Sequence, residues 1–101
     1  MNKDRTRSAS PIPESLVNMD AALRRVVQAE IGPRRPGVVY SDGVTDLEVV
    51  QVVTDPSEAR RILKRRAPQF AVIVRDIYTG VERATCAVWT GSDRVLKAVA
   101  A

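Results

Sequence analysis

The sequence contains no histidine, the side chain most often used as general base or metal ligand near neutral pH. Its single cysteine, Cys86, excludes an internal disulfide and a thiolate metal cage. Placed among the apolar residues of a strand, Cys86 reads as a small core hydrophobe rather than a nucleophile. No apolar run approaches the roughly 18 residues that a membrane-spanning helix needs, and the polar start lacks the apolar segment of a signal peptide. The expectation is a cytoplasmic protein with no membrane contact. No glycine-rich loop follows a strand and opens a helix, so the phosphate-cradling signatures are missing. Ser57 and Ser92 have no visible base to activate them and are accounted for as helix-start residues. These absences predict a protein that is not an enzyme and takes no cofactor and no metal.

Aromatic residues are scarce: Tyr40, Phe70, Tyr78 and Trp89. Stacking of nucleic-acid bases would require Tyr40 and Trp89 on an uncovered sheet face. Core packing is the stronger reading for Phe70 and Trp89. Tyr78, at the tip of a hairpin, is expected to be exposed and to serve as a protein-contact anchor.

What is present is a chain of 101 residues, 45% hydrophobic and 28% charged, the composition and size of one globular domain. Its formal net charge is +4, and the distribution says more than the total. Residues 37–55 carry four acidic side chains and no basic ones, whereas residues 56–68 carry five basic and one acidic. The molecule is bipolar in sequence rather than uniformly cationic.

Residues 1–12 are polar and basic and read as a disordered tail; residues 13–101 read as a single α+β domain. Leu16, Met19, Leu23, Val26, Val27 and Ile31 recur at helical spacing and predict a helix over Glu14 to Ile31 whose stripe faces the core. Gly32-Pro33 stops it. Val38 to Ser41 and Val44 to Val53 flank Asp42-Gly43, a strong hairpin signal. Asp55-Pro56 and Glu58 predict the start of a second helix, continued to about Ala67. Phe70 to Val74 and Val81 to Thr90 predict another hairpin, closed by Gly80, followed by a short last helix capped by Ser92 with Val95, Leu96 and Val99 on its apolar side. Strand, turn, strand, cap and helix thus occur twice, which reads as a ββα duplication. The predicted fold is an N-terminal amphipathic helix plus two ββα units. They form a four-stranded, mostly antiparallel sheet with helices mainly on one face.

Two surfaces carry the functional expectation. Arg60, Arg61, Lys64, Arg65 and Arg66 predict a basic helix that lies along a phosphate backbone, with Arg34 and Arg35 in a proline-bounded loop extending it. Such contacts position a protein on nucleic acid without reading bases. The bland alternative is that the acidic hairpin neutralises this helix internally. The competing function is an adaptor or inhibitor that docks on a protein partner through Tyr78, Asp42, Asp46 and Glu48, or through an open sheet edge. A third arrangement joins the acidic pole of one copy to the basic pole of the next as a homo-oligomer. Asp42, Asp46 and Glu48 also form the one set that would offer oxygens to a divalent cation. Residues 37–55 supply no lysine for nuclease chemistry, and solubility is the stronger reading of those acids.

Overall fold

The computed structural model describes residues 14–99, with side-chain environments from residue 21 onward. The tail expected over residues 1–12 lies outside the described residues. Along the chain run α1 (Glu14–Ile31), β1 (Val39–Ser41), β2 (Asp46–Val53), α2 (Pro56–Leu63), β3 (Ala71–Asp76), β4 (Glu82–Thr85) and β5 (Arg94–Lys97). The fold is α+β. One sheet has the order β4-β3-β2-β1-β5, and each neighbouring pair is antiparallel. No described helix is long and apolar enough to cross a membrane.

Local chemistry explains most of these elements. Asp55 caps α2, its side chain accepting from the Ser57 backbone N–H at 3.3 Å, and Pro56 takes the first turn, where its missing N–H costs nothing. In the β3–β4 hairpin the Asp76 carboxylate accepts from the N–H groups of Tyr78 (2.8 Å) and Thr79 (3.1 Å). Gly80 closes that loop with φ +75° and donates to the Asp76 carbonyl at 2.8 Å. In the first hairpin the Asp42 side chain likewise accepts from Val44 and Thr45, both at 2.9 Å. Val44 therefore belongs to the loop rather than to β2.

The run of valines in β2 serves both faces of the sheet because the strand is bulged. Its register against β3 shifts between Val49 and Gln51. Leu47 and Val49 point to one face; after the shift Val52 takes over that face and Val53 turns to the other. Two cores result, one on each side. The larger joins Leu47, Val49, Val72, Val74, Phe70 and Tyr40 to Val27 and Ile31 of α1. The smaller sets Val53 and Ala71 under Ala59, Ile62 and Leu63 of α2. The helices therefore lie on opposite faces, not mainly on one.

Three further expectations are corrected. The last helix is absent: residues 94–97 form β5, which pairs with β1. Thr90 and Asp93 make a tight turn instead of a cap, with the Asp93 carboxylate accepting from the Thr90 N–H at 2.7 Å. A helix of one or two turns offers little hydrogen bonding, whereas the outer edge of β1 offers a ready ladder. With that helix goes the ββα duplication, and the sheet gains a fifth strand. The return strand is also shorter than expected: β4 ends at Thr85, and residues 86–93 cross one face of the sheet to reach β5 at the far edge. Finally, among the described side chains of α1 only the end of the stripe is buried. Val27 and Ile31 are buried, but Leu23 and Val26 are 46% and 51% exposed; the side chains of Leu16 and Met19 lie outside those described.

The crossover is tied to the end of α1. The Trp89 N–H donates to the Glu30 carbonyl at 2.7 Å, and the Trp89 ring packs against the larger core beside Tyr40, centroid to centroid 5.5 Å.

Candidate functional site

The five cations expected on one helix are divided by a turn. α2 stops at Leu63, four residues before the expected end. Lys64 takes the left-handed conformation (φ 56°, ψ 41°), and the Arg65 N–H reaches back to the Arg60 carbonyl at 3.2 Å. This is the Schellman closure of a helix, made here without glycine. Arg60 and Arg61 lie on the last turn of α2, Lys64 at its cap, and Arg65 and Arg66 in the bend leading to β3. All five are exposed. The result is a basic knob rather than a basic helix face, presenting cations in several directions.

The acids next to this knob in sequence do not face it. Register brings Glu48, Arg75 and Glu82 into one row across β2, β3 and β4. Arg75 bonds Glu48 at 3.2 Å and Glu82 at 3.0 Å. Asp42 meets Arg83 at 3.6 Å, and Asp46 accepts from the Tyr78 hydroxyl. Within the knob, Arg61 pairs with Glu58 on the same exposed surface, an i,i+3 contact of small energetic weight. Arg60 Nε donates to the Pro68 carbonyl at 3.4 Å. Among the described residues no ion pair joins residues 60–66 to Asp42, Asp46 or Glu48.

These contacts set the charge states. The Arg61 guanidinium holds the Glu58 carboxyl below its usual range. Burial pushes Asp42 up, but the backbone N–H groups of Thr45 and Val44 and the Arg83 charge outweigh it, and the net shift is downward. The N–H groups of Tyr78 and Thr79, with the Thr45 hydroxyl, lower Asp76. Asp46 raises the Tyr78 phenol by accepting its proton in a hydrogen bond. Among the described residues no group of three or more potential ligands converges on a metal position.

Arg34 is not a surface residue. It is only 3% exposed. Its Nε donates to the Ile31 carbonyl, and its Nη2 to the carbonyls of Glu30 and Ala87, each at 2.8 Å. The guanidinium carbon lies 5.6 Å from the Tyr40 ring centroid and 5.8 Å from that of Trp89. Arg34 satisfies the last carbonyls of α1 and pins the crossover, so it is withdrawn from any phosphate interface. Arg35 beside it is exposed, with no bond to the 60–66 knob. Tyr40 is 3% exposed and buried in the larger core, which removes it as a stacking platform. Cys86 is half-buried outside both cores, 3.9 Å from Arg65 Nη1.

At the opposite end of β3, about 20 Å away by strand rise, the two hairpin tips meet. The Ile77 N–H donates to the Asp46 carbonyl at 3.1 Å, and the Thr45 hydroxyl to Asp76 at 2.9 Å. This end exposes Val44 (91%), Tyr78 (71%), Ile77 and Val81, an apolar tip edged by Asp42, Asp46 and Asp76. The charge partners Arg75 and Arg83 had no sequence signal apart from register. The seat of Arg34 had a weak one, since a basic residue just past a helix end often bonds its last carbonyls.

The chain matches no protein-family model, no curated protein and no solved structure.

Proposed function

We propose that the protein is a non-enzymatic binding module that contacts the phosphate backbone of nucleic acid through the knob formed by Arg60, Arg61, Lys64, Arg65 and Arg66. The observation that carries this reading is the pairing of the acidic hairpin with Arg75, Arg83 and Tyr78, which leaves the knob without those carboxylates as neighbours. A local excess of exposed cations attracts a polyanion by releasing its counterions. The contacts position the protein and read no sequence.

A second reading is favoured by the opposite end of the sheet. There Tyr78 stands exposed at the same end as Val44, Ile77 and Val81, with its hydroxyl bonded to Asp46 and Asp42 in the neighbouring hairpin loop. An apolar tip rimmed by acids suits a protein partner with a basic surface, and this end would make the molecule an adaptor or inhibitor.

Fluorescence anisotropy with labelled duplex DNA, single-stranded DNA and RNA, over a range of salt, separates the two. The knob predicts affinity that falls steeply with salt, with a log–log slope of up to about −4.5 on duplex for five phosphate contacts. Charge reversal at Arg61 and Lys64 should abolish it, while Tyr78→Ala leaves it intact. Absent or salt-insensitive binding overturns the nucleic-acid reading and leaves the hairpin end as the functional surface.

A further inference from the structure

A cavity of ≈ 280 Å³ opens between β4, the 86–93 crossover and the end of β1. Its walls include Arg34, Tyr40, Asp42, Arg83, Thr85 and Asp93, none of them in the 60–66 knob. Two of these side chains, Arg34 and Tyr40, are more than nine-tenths buried, and both hold unspent polar capacity. Arg34 commits its Nε and Nη2 donors to three carbonyls, while Nη1 has no acceptor among the described residues. The Tyr40 hydroxyl has no partner among them either. Buried donors of this kind are ordinarily satisfied, and each exception calls for a cause. Two of them lining one cavity point to a shared acceptor.

The charges in the wall define that acceptor further. Arg34 and Arg83 supply two cations, and Asp42 and Asp93 two carboxylates. Asp42 meets Arg83 only at 3.6 Å. Asp93 spends Oδ2 on Thr90, leaving Oδ1 unbonded among the described residues. A simple anion would face two carboxylates there, and a simple cation two guanidinium groups. A molecule carrying both signs meets neither penalty. The volume falls just below the roughly 300 Å³ at which drug-sized sites begin, and is enough for a molecule the size of a free amino acid.

We propose that this cavity binds a small zwitterion, a free α-amino acid or an aminocarboxylate of similar size. Its carboxylate takes the Arg34 Nη1 and Tyr40 hydroxyl donors, and its ammonium group faces Asp93 and Asp42. Binding closes around the crossover that Arg34 already anchors, so the ligand stabilises the path of residues 86–93.

The test is an NMR titration of the ¹⁵N-labelled full chain with each of the common amino acids, and with acetate and methylamine as half-ligands. At least one amino acid should give saturable shifts confined to residues near 34, 40, 83–87 and 93. Its affinity should fall about tenfold or more, the loss of one buried hydrogen bond, in Tyr40→Phe and in Asp93→Asn. Arg34 is left in place because it holds the fold, and Asp42→Asn, which keeps the oxygen that accepts from Val44 and Thr45, replaces either variant if its spectrum shows misfolding. No shift by any amino acid up to about 10 mM means that the cavity holds only water and overturns the proposal. Acetate binding as tightly as the amino acid overturns it too, as does unchanged affinity in the variants.

Discussion

Trp89 occupies the space where a side chain on Gly32 would go: a Cβ built at Gly32 stands 2.6 Å from Trp89 Cγ and 2.8 Å from its Cβ. Gly32 also sits at φ +65°, so two independent requirements fall on one residue. The helix must end in a left-handed turn, and the crossover must pass directly over that turn.

Gly32→Ala is therefore expected to destabilise the fold by about 2 kcal/mol or more, combining the left-handed penalty with overpacking. The measurement is urea unfolding followed by Trp89 fluorescence, which reads the perturbed site directly. An alanine variant within about 0.5 kcal/mol of the parent, the range of an ordinary surface change, would show that the crossover yields freely.

Arg34 and Arg35 are adjacent and identical in type, yet their substitutions should differ sharply. Arg34→Met takes their side-chain donor from the carbonyls of Ile31 and Ala87 and leaves Glu30 only the Trp89 N–H, for an expected loss of about 3 kcal/mol. Arg34→Lys should recover only part of it, because an ammonium lacks the fork that reaches carbonyls from both sides. Arg35→Ala should stay within about 0.5 kcal/mol. Paired denaturation curves for the three variants give the comparison, and equal losses at 34 and 35 would contradict the buried seat of Arg34.

This contrast also shows what a linear reading resolves. Asp55-Pro56 and Gly32-Pro33 act through bonds to residues two to four positions away and bound their helices as expected; Asp42-Gly43 turns the chain as expected, although its loop also takes in Val44. The fate of Arg34 depends on Ala87, 53 residues further on, and that of residues 94–97 on the unfilled edge of β1. Local spacing carries no information about either. Leu23 and Val26 illustrate the converse: helical periodicity identified the helix, but two of the residues it assigned to the core are about half exposed, because spacing does not say how far along α1 the sheet reaches. In the same way the acidic and basic runs were legible as charge, whereas the partners that divide them, Arg75 and Arg83, follow from strand register.

Acid should weaken this fold in a defined window. The carboxyls of Asp42 and Asp76 both lie below their ordinary values in the folded chain. For a group whose folded pKa is lowered, the stabilisation is present above the unfolded value, about 3.9 for aspartate, and is lost as pH falls through the folded value. Stability should be flat near neutrality and decline below about pH 4. Asp76→Asn removes the titrating charge from the β3–β4 turn, so it should be less stable than the parent at pH 7. The two should converge as pH is lowered. Thermal melts between neutral and strongly acidic pH check this, and parallel curves for parent and variant would exclude Asp76 as a contributor.

Lys64 lies where stability and the proposed function pull in opposite directions. It is the only described residue other than glycine with positive φ, and a lysine in that conformation costs about 1 kcal/mol relative to glycine. Lys64→Gly should therefore raise stability by about that amount, since the Schellman turn keeps its Arg65-to-Arg60 bond and loses its strain. The same change removes one cation from the knob. Nucleic-acid affinity should fall, and the salt dependence on duplex should become shallower by about 0.9 in log–log slope. Lys64→Arg restores the charge at similar strain and should restore the slope without the gain in stability. A glycine variant that is more stable yet binds with an unchanged salt slope would place the phosphate contacts elsewhere. Such a result would make Lys64 a helix cap with no part in the interface.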